Sequence, residues 1–320
     1  MILLMSPNQW ARIPVSNPPH IVFAGAATVD MIFSVDTLPQ GPGKVLPKAL
    51  LQAAHGMATS AAVAAARLGG RSSLITRIGD DIMGDHFVAE IAAEGVDCRH
   101  VRRFEGVPTP LSAVIVDDAG ERLILPYYDK GLGTDPSWIP DALIQTADAV
   151  QVDVRWAEGA EKVLSLARQA GKIAVLDADV GPPEVISTLA RIASHSVFSA
   201  PAALLMSGAE SVPEAVRELS RLFDGFVAVT DGAEGCFWLE DGALHHLRPP
   251  QVKAVDTLAA GDVFHGAFTL AIAEGRNIAT AVRFANAAAA IKCATFGGRL
   301  GSPTRQAVLA LLATERITGG

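Results

Sequence analysis

A chain of 320 residues, 50% hydrophobic and 19% charged, has enough apolar material for one large α/β domain or two small ones. Its formal net charge is −8 and its 26 Lys and Arg residues are scattered, which argues against a nucleic-acid partner. Cys98, Cys236 and Cys293 form no C-x-x-C pair, and no apolar run reaches the roughly 18 residues of a membrane span, so a cytoplasmic protein with free thiols and no membrane association is expected.

Residues 1–19 carry Pro7, Pro14, Pro18 and Pro19 with little periodicity and read as a loose leader, without the charged flank of a signal peptide. Ile21–Ala24, an apolar run ending at Gly25, predicts a buried strand, and Met31–Val35 a second. Pro39, Gly41, Pro42 and Gly43 mark a turn. Thr59–Leu68 predicts an alanine-rich helix stopped by Gly69-Gly70, Ser73–Ile78 a strand, and Asp85–Glu94 a helix stopped by Gly95. Leu111–Val116 and Arg122–Leu125 flank Asp117-Asp118-Ala119-Gly120, a hairpin signal. Strands at 149–152, 172–176, 196–199 and 226–230 then interleave with helices at 159–170, 183–193 and 212–223. A hairpin around Asp241-Gly242 and helices near 261–274 and 278–295 complete the pattern. Such alternation predicts a mostly parallel sheet covered by helices on both faces. The early hairpins break it and predict a small β lid, from about 31–54 and 101–128, on a domain of 20–320. An exposed lid face wants a partner, so a homodimer through the lid is expected.

The segment richest in chemistry runs from Asp256 through Thr257, Leu258, Ala259, Ala260, Gly261 and Asp262 into an apolar helix containing Phe264, Ala267, Phe268, Ala271 and Ile272. Small side chains let a ligand approach the backbone, and amides at a helix N-terminus favour an anion. Asp262 stands at the junction, where it can accept a hydroxyl proton as phosphate arrives or simply cap the helix; spacing does not choose between the two. Other signatures are absent. Gly41-Pro42-Gly43-Lys44-Val45 lacks P-loop spacing, Gly25-Ala26-Ala27 is no dinucleotide turn, and the eight His and three Cys show no zinc-ligand spacing.

The Asp256–Phe264 stretch resembles the second signature of the PfkB family, Asp-Thr-x-Gly-Ala-Gly-Asp-x-Phe, and the resemblance covers nearly the whole chain from about residue 21. It implies an α/β fold, a ribokinase-like three-layer αβα sandwich with a mostly parallel central sheet and a β-sheet lid. It also implies ATP and Mg²⁺ as cofactors, a small-molecule sugar as substrate, and in many members K⁺ held by loop carbonyls near Asp256 and Leu258. By the match Asp262 is the catalytic base, and the amides of Ala260, Gly261 and Asp262 are the anion hole. Ala259 replaces the first signature glycine, and its methyl group is expected to demand an ordinary φ. Asp30 matches a sugar-binding Asp. His55-Gly56-Met57-Ala58-Thr59-Ser60 resembles the first signature, Gly-Gly-x-x-x-Asn, with His55 and Ser60 replacing Gly and Asn. Thr230, Gly232 and Gly235 resemble the nucleotide-phosphate loop, and Asn286 a position near adenine. Gly79-Asp80-Asp81 with Gly84 matches too, with a structural role.

Within the family the chain is similar to the sulfofructose kinase branch. Asp153-Val154-Arg155-Trp156, Val263-Phe264-His265-Gly266-Ala267 and Gly297-Gly298-Arg299 carry that similarity. Lys44 and Arg155 then match an anion site for a sulfonate, with Pro126 where the branch has an Asn. The competing roles are a solvated lid residue for Lys44 and a structural ion pair for Arg155. Ser199-Ala200-Pro201-Ala202 lacks the Asn-x-x-Glu that organises Mg²⁺ in many members, leaving Asp177 and Asp179 as metal-side candidates. Other readings are a kinase for a neutral sugar or a nucleoside, and a catalytically silent binder on the same fold, against which Asp262 stands.

Overall fold

The computed structural model describes residues 17–318, with side chains as far as Thr314; most of the expected leader lies outside them. Strands β1 (His20–Ala24), β4 (Arg71–Gly79), β5 (Val96–Phe104), β8 (Ala149–Asp153), β9 (Ile173–Ala178), β10 (His195–Ser199) and β11 (Phe226–Asp231) pair in parallel. The antiparallel hairpin β12 (Gly235–Glu240) and β13 (Ala243–Leu247) closes one edge, giving the order β13-β12-β11-β10-β9-β8-β1-β4-β5. β1 and β8 are near-continuous apolar runs because both faces of the sheet are covered.

One face packs α1 (Met57–Arg67), α2 (Ile82–Ala93), α8 (Ala260–Ala273), α9 (Ile278–Cys293) and α10 (Arg305–Thr318). The other packs α3 (Asp141–Thr146), α4 (Ala157–Gln169), α5 (Pro183–Ile192), α6 (Ala200–Ser207) and α7 (Val212–Leu222). The alanine-rich pattern of α1 has a packing cause: a Cβ on Gly266 of α8 would lie 2.3 Å from the Ala61 carbonyl, so the two helices meet backbone to backbone. Asp81 caps α2, accepting from the Gly84 amide at 2.8 Å and the Thr109 amide at 2.8 Å, the structural role expected of that segment.

A four-stranded sheet projects from this body: β2 (Thr28–Ser34), β3 (Ala49–His55), β6 (Leu111–Val116) and β7 (Arg122–Tyr127), in the order β3-β2-β6-β7. Its central pair, β2 and β6, is parallel and the outer pairs antiparallel. Two boundaries differ from expectation. Residues 101–104 belong to β5 of the large sheet, because their alternation serves the pairing with β4. Pro18 and Pro19, expected to be loose, accept from the Arg71 side chain and amide at 3.1 and 3.0 Å.

Candidate active site

β1 has β4 on one side and β8 on the other, so the chain leaves the sheet centre in both directions. Loops diverging at such a point open a crevice outside the carboxyl ends of the strands. The strand ends there carry Asp153, Asp177, Ser199 and Thr230, with Asp153 opposite Asp177 and Ser199 opposite Thr230.

α8 starts at this edge. Its N-cap is Ala259, not Asp262, and Ala259 has φ 62° and ψ 13°, the left-handed conformation. The expectation of an ordinary φ is therefore corrected: the fold keeps the glycine-type turn and places alanine in it, at a strain of about 1–2 kcal/mol. The turn is closed on both sides, since the Val263 amide donates to the Ala259 carbonyl at 3.0 Å and the Ala260 amide to the Thr257 carbonyl at 3.2 Å. With Ala260 committed, the amides of Gly261 and Asp262 are left without an acceptor among the described residues, at the positive end of a 14-residue helix. The anion hole has two free amides where three were expected.

The Asp262 carboxylate makes no hydrogen bond among the described residues. Desolvation raises its pKa well above the usual carboxylate range, and the Asp177 charge adds to the rise. One turn on, His265 braces the helix end, with Nδ1 2.7 Å from the Gly261 carbonyl and 3.4 Å from Asp177, and Nε2 3.2 Å from the Val197 carbonyl of β10. Burial lowers its pKa. Asp177 is also buried, with one oxygen lacking a hydrogen-bond partner among the described residues. Asp179 is engaged: it accepts from the Ser199 hydroxyl at 2.9 Å and from Arg155 at 3.1 Å. Ser199 itself caps α6, which accounts for that segment without an Asn-x-x-Glu.

Beside the anion loop a cleft of about 660 Å³ is lined by Thr230, Gly232, Gly235, Gly261, Asn286 and Arg122. Asn286 is held by donation to the Leu247 carbonyl at 2.9 Å. Gly235 is required by the hairpin, where a Cβ would lie 2.1 Å from the same carbonyl. Arg122, which the sequence patterns did not single out, reaches from β7 to the Thr257 hydroxyl and ties the lid to the anion loop.

The lid base contributes a second group of side chains at this edge. Asp30 on β2 is 4% exposed; one of its oxygens has no partner among the described residues and the other lies 3.5 Å from Nδ1 of His55 on β3. Burial pushes the Asp30 pKa up to about 6 against the hydroxyls of Ser112 and Thr28. Burial, with the charges of Arg299 and Lys292, pushes His55 down to about 3, so the imidazole is neutral near pH 7. Gly56 turns beneath the pair, close against the Ala26 carbonyl.

Asp153 was not singled out as a site residue, yet it clamps the cleft floor. It accepts from the amides of Ala26 at 2.8 Å, Ala58 at 2.9 Å and Arg155 at 2.9 Å, joining β1, α1 and β8. Tyr128, also missed, follows β7; desolvation of its hydroxyl raises its pKa first, and the charges of Asp153, Asp30 and Asp262 add to the rise. No periodicity marks a residue in the loop after a hairpin. Lys44 is exposed in the β2–β3 loop and makes no hydrogen bond or ion pair among the described residues. Arg155 donates to the Val180 carbonyl at 2.8 Å and to Asp179, so it shares no partner with Lys44.

Behind the anion loop, Asp256 is buried. Its carboxylate accepts from the amides of Leu258 at 2.8 Å, Gly297 at 2.9 Å and Gly298 at 2.8 Å. Burial opposes its ionisation, but the Lys292 charge and these amides outweigh it and lower the pKa. Lys292, wholly buried, donates to the Asp256 carbonyl at 2.6 Å and lies 3.3 Å from the carboxylate.

A free carboxylate beside unspent amides at a helix N-terminus, on the carboxyl edge of a lidded parallel sheet, is the equipment of a phosphotransferase acting on a small alcohol. The sequence profile described as pfkB family carbohydrate kinase matches residues 18–305, and the chain belongs to that family. It is 30% identical to a ribokinase of Haemophilus influenzae over 90% of this chain and 96% of that one. It is 29% identical to an ATP-dependent ribose-1-phosphate kinase of Halopiger xanaduensis over 93% and 99%. The crystal structure of a candidate ribokinase from Agrobacterium tumefaciens superposes with a TM-score of 0.91 at 45% identity, covering 94% of this chain and 99% of that one. The fold is ribokinase-like, and the chain is a phosphotransferase with an alcohol group as acceptor.

Proposed function

We propose that this chain is an ATP-dependent sugar kinase that transfers the γ-phosphoryl group of ATP to a sugar hydroxyl with Asp262 as general base. The observation that carries the proposal is the Asp262 carboxylate, free of protein partners and raised in pKa, beside the unspent amides of Gly261 and Asp262. The sugar hydroxyls are held by the unpartnered oxygen of Asp30, which His55 keeps in place. The acceptor hydroxyl lies on Asp262. As its oxygen bonds to the γ-phosphorus and the bond to the ADP oxygen breaks, its proton passes to Asp262. The two amides take up charge on the transferring group. Thr230, Gly232 and Gly235 line the nucleotide-phosphate side, and Asn286 the adenine side. Asp177, with one unpartnered buried oxygen, would hold Mg²⁺ through water, and the ion would supply charge neutralisation at the phosphates. The test is ADP release from ATP and Mg²⁺ over a panel of pentoses and ketoses; no release with any of them would overturn the assignment.

A second reading takes an anionic ketose such as 6-deoxy-6-sulfofructose. It is supported by the uncommitted ammonium of Lys44 and by the place of Arg155, two residues after Asp153 at the carboxyl end of β8. The pairing of Arg155 with Asp179 favours a neutral sugar instead. kcat/KM for 6-deoxy-6-sulfofructose against fructose, in wild type and Arg155→Ala, decides. The anionic reading requires a preference for the sulfonate that falls about 10- to 150-fold in the variant. A homodimer through the lid is supported by Leu50, Leu123, Leu125 and Tyr127, all exposed on the small sheet. Sedimentation should find a dimer at micromolar concentration, and a monomer there would overturn it.

A further inference from the structure

Lys292 places its ammonium where no surface is exposed. A lysine with no exposed surface is costly unless its ammonium is matched by fixed acceptors. Here the match is made with the first residue of the anion loop: the Asp256 carbonyl at 2.6 Å and its carboxylate at 3.3 Å. The same carboxylate holds the amides of Leu258, on the loop, and of Gly297 and Gly298, beyond the end of α9. The backbone of Cys293, next to Lys292, accepts from the amides of Val255 and Asp256 at 2.7 and 3.1 Å. One buried positive charge is thus the centre of a cage that sets where the loop enters the anion hole.

The K⁺ suggested for the carbonyls near Asp256 and Leu258 does not fit this arrangement. A monovalent cation there needs the Asp256 carbonyl and charge balance from its carboxylate, and the Lys292 ammonium already uses both. Two positive charges sharing one carboxylate in a desolvated site repel strongly. The side chain is anchored on α9 and packed without solvent, so it has no water-filled position to withdraw to.

We infer that Lys292 is a built-in cation: its ammonium holds the anion loop in its phosphate-binding shape, and the enzyme works without K⁺. Lys292 lies behind the loop and acts as a positioning residue for the amides of Gly261 and Asp262. The inference rests on the kinase reading only for its activity arm; nucleotide binding and thermal stability test it independently of any sugar.

The experiment uses the full chain, exchanged into choline chloride, with KCl or NaCl substituted at constant ionic strength. Fluorescent ATP binding, ADP release and Tm are read in each salt. Wild type should bind ATP equally in all three, within about twofold, with the same Tm. Activation by K⁺ of more than about fivefold, or a K⁺-specific rise in wild-type Tm, would overturn the inference. Lys292→Ala should lose about 5 °C or more in Tm and bind ATP more weakly in choline. K⁺, but not choline, should restore part of both, because the vacated cage can then accept a cation. Equal responses of that variant to KCl and choline chloride, or wild-type properties in choline, would overturn the positioning role. Should Lys292→Ala fail to fold, the wild-type arm decides alone. If no sugar elicits ADP release, the kinase reading fails while the binding and Tm arms still report on the cage.

Discussion

The two ends of the cleft are built from different materials. The phosphate end consists of backbone and small residues from one continuous segment: the turn at Ala259 and the amides of Gly261 and Asp262, with the Asp262 carboxylate on the same turn. The end proposed for the sugar consists of side chains from four separate segments: Asp30 on β2, His55 on β3, Tyr128 after β7 and Asp153 on β8. Backbone amides serve any phosphoryl group, whereas side chains are chosen for one substrate. Reaction type should therefore follow the first end and substrate preference the second.

The sharpest division comes from Asp262→Asn, which keeps shape and removes basicity. Loss of a general base should lower kcat by about 10²- to 10⁴-fold, with sugar and ATP dissociation constants nearly unchanged and Tm preserved. Wild-type turnover in the folded variant would remove Asp262 from the mechanism.

Asp30→Asn attacks the other end. Losing a charge-assisted contact of about 1.5–3 kcal/mol should weaken sugar binding about 10- to 150-fold. ATP affinity should not change, and a parallel loss of both would mean that the ends are not separable.

A milder probe is pH. Asp30 has a pKa of about 6, so it ionises as pH rises through 6 and gains its acceptor strength there. Sugar dissociation constants measured in Asp262→Asn, where the base no longer titrates, should rise about tenfold per unit as pH falls below 6. His55, at about 3, does not titrate in that window. An acid limb that survives in Asp30→Asn/Asp262→Asn would assign it elsewhere.

The smallest effect is expected at Ala259→Gly. Relief of left-handed strain, about 1–2 kcal/mol, is offset in part by the larger chain entropy of glycine in the unfolded state. Tm should rise by about 2 °C and kcat stay within about twofold. A large change in kcat would show that the methyl group shapes the loop.

Legibility followed the same division. The Asp256–Asp262 run could be read because a contiguous segment of small residues ending in a carboxylate carries its chemistry locally. Even there the local argument failed twice. The methyl of Ala259 was expected to exclude a left-handed φ, but hydrogen bonds at Ala259 and Ala260 hold the turn regardless. Asp262 was as good a candidate for a cap as for a base until the cap proved to be Ala259. Lys292 sits in an alanine-rich helix where nothing marks it; only the approach of the Asp256 turn to the end of α9 makes it the partner of the loop.

Apolar runs and their spacing were enough to determine the alternation of strands and helices, the covered parallel sheet and the anion-binding helix end, because each depends on residues within a few positions of one another. Hairpin signals likewise predicted a projecting lid and most of its extent but not its strand order, since pairing partners such as β2 and β6 lie some eighty residues apart. What the tertiary structure alone decided are the convergences: Asp153 drawing Ala26 and Ala58 together, His55 set against Asp30, Arg155 spent on Asp179, and Lys292 closed over Asp256. In each, the energy comes from matching buried charges and donors contributed by distant strands and helices, and that matching exists only once the chain has folded.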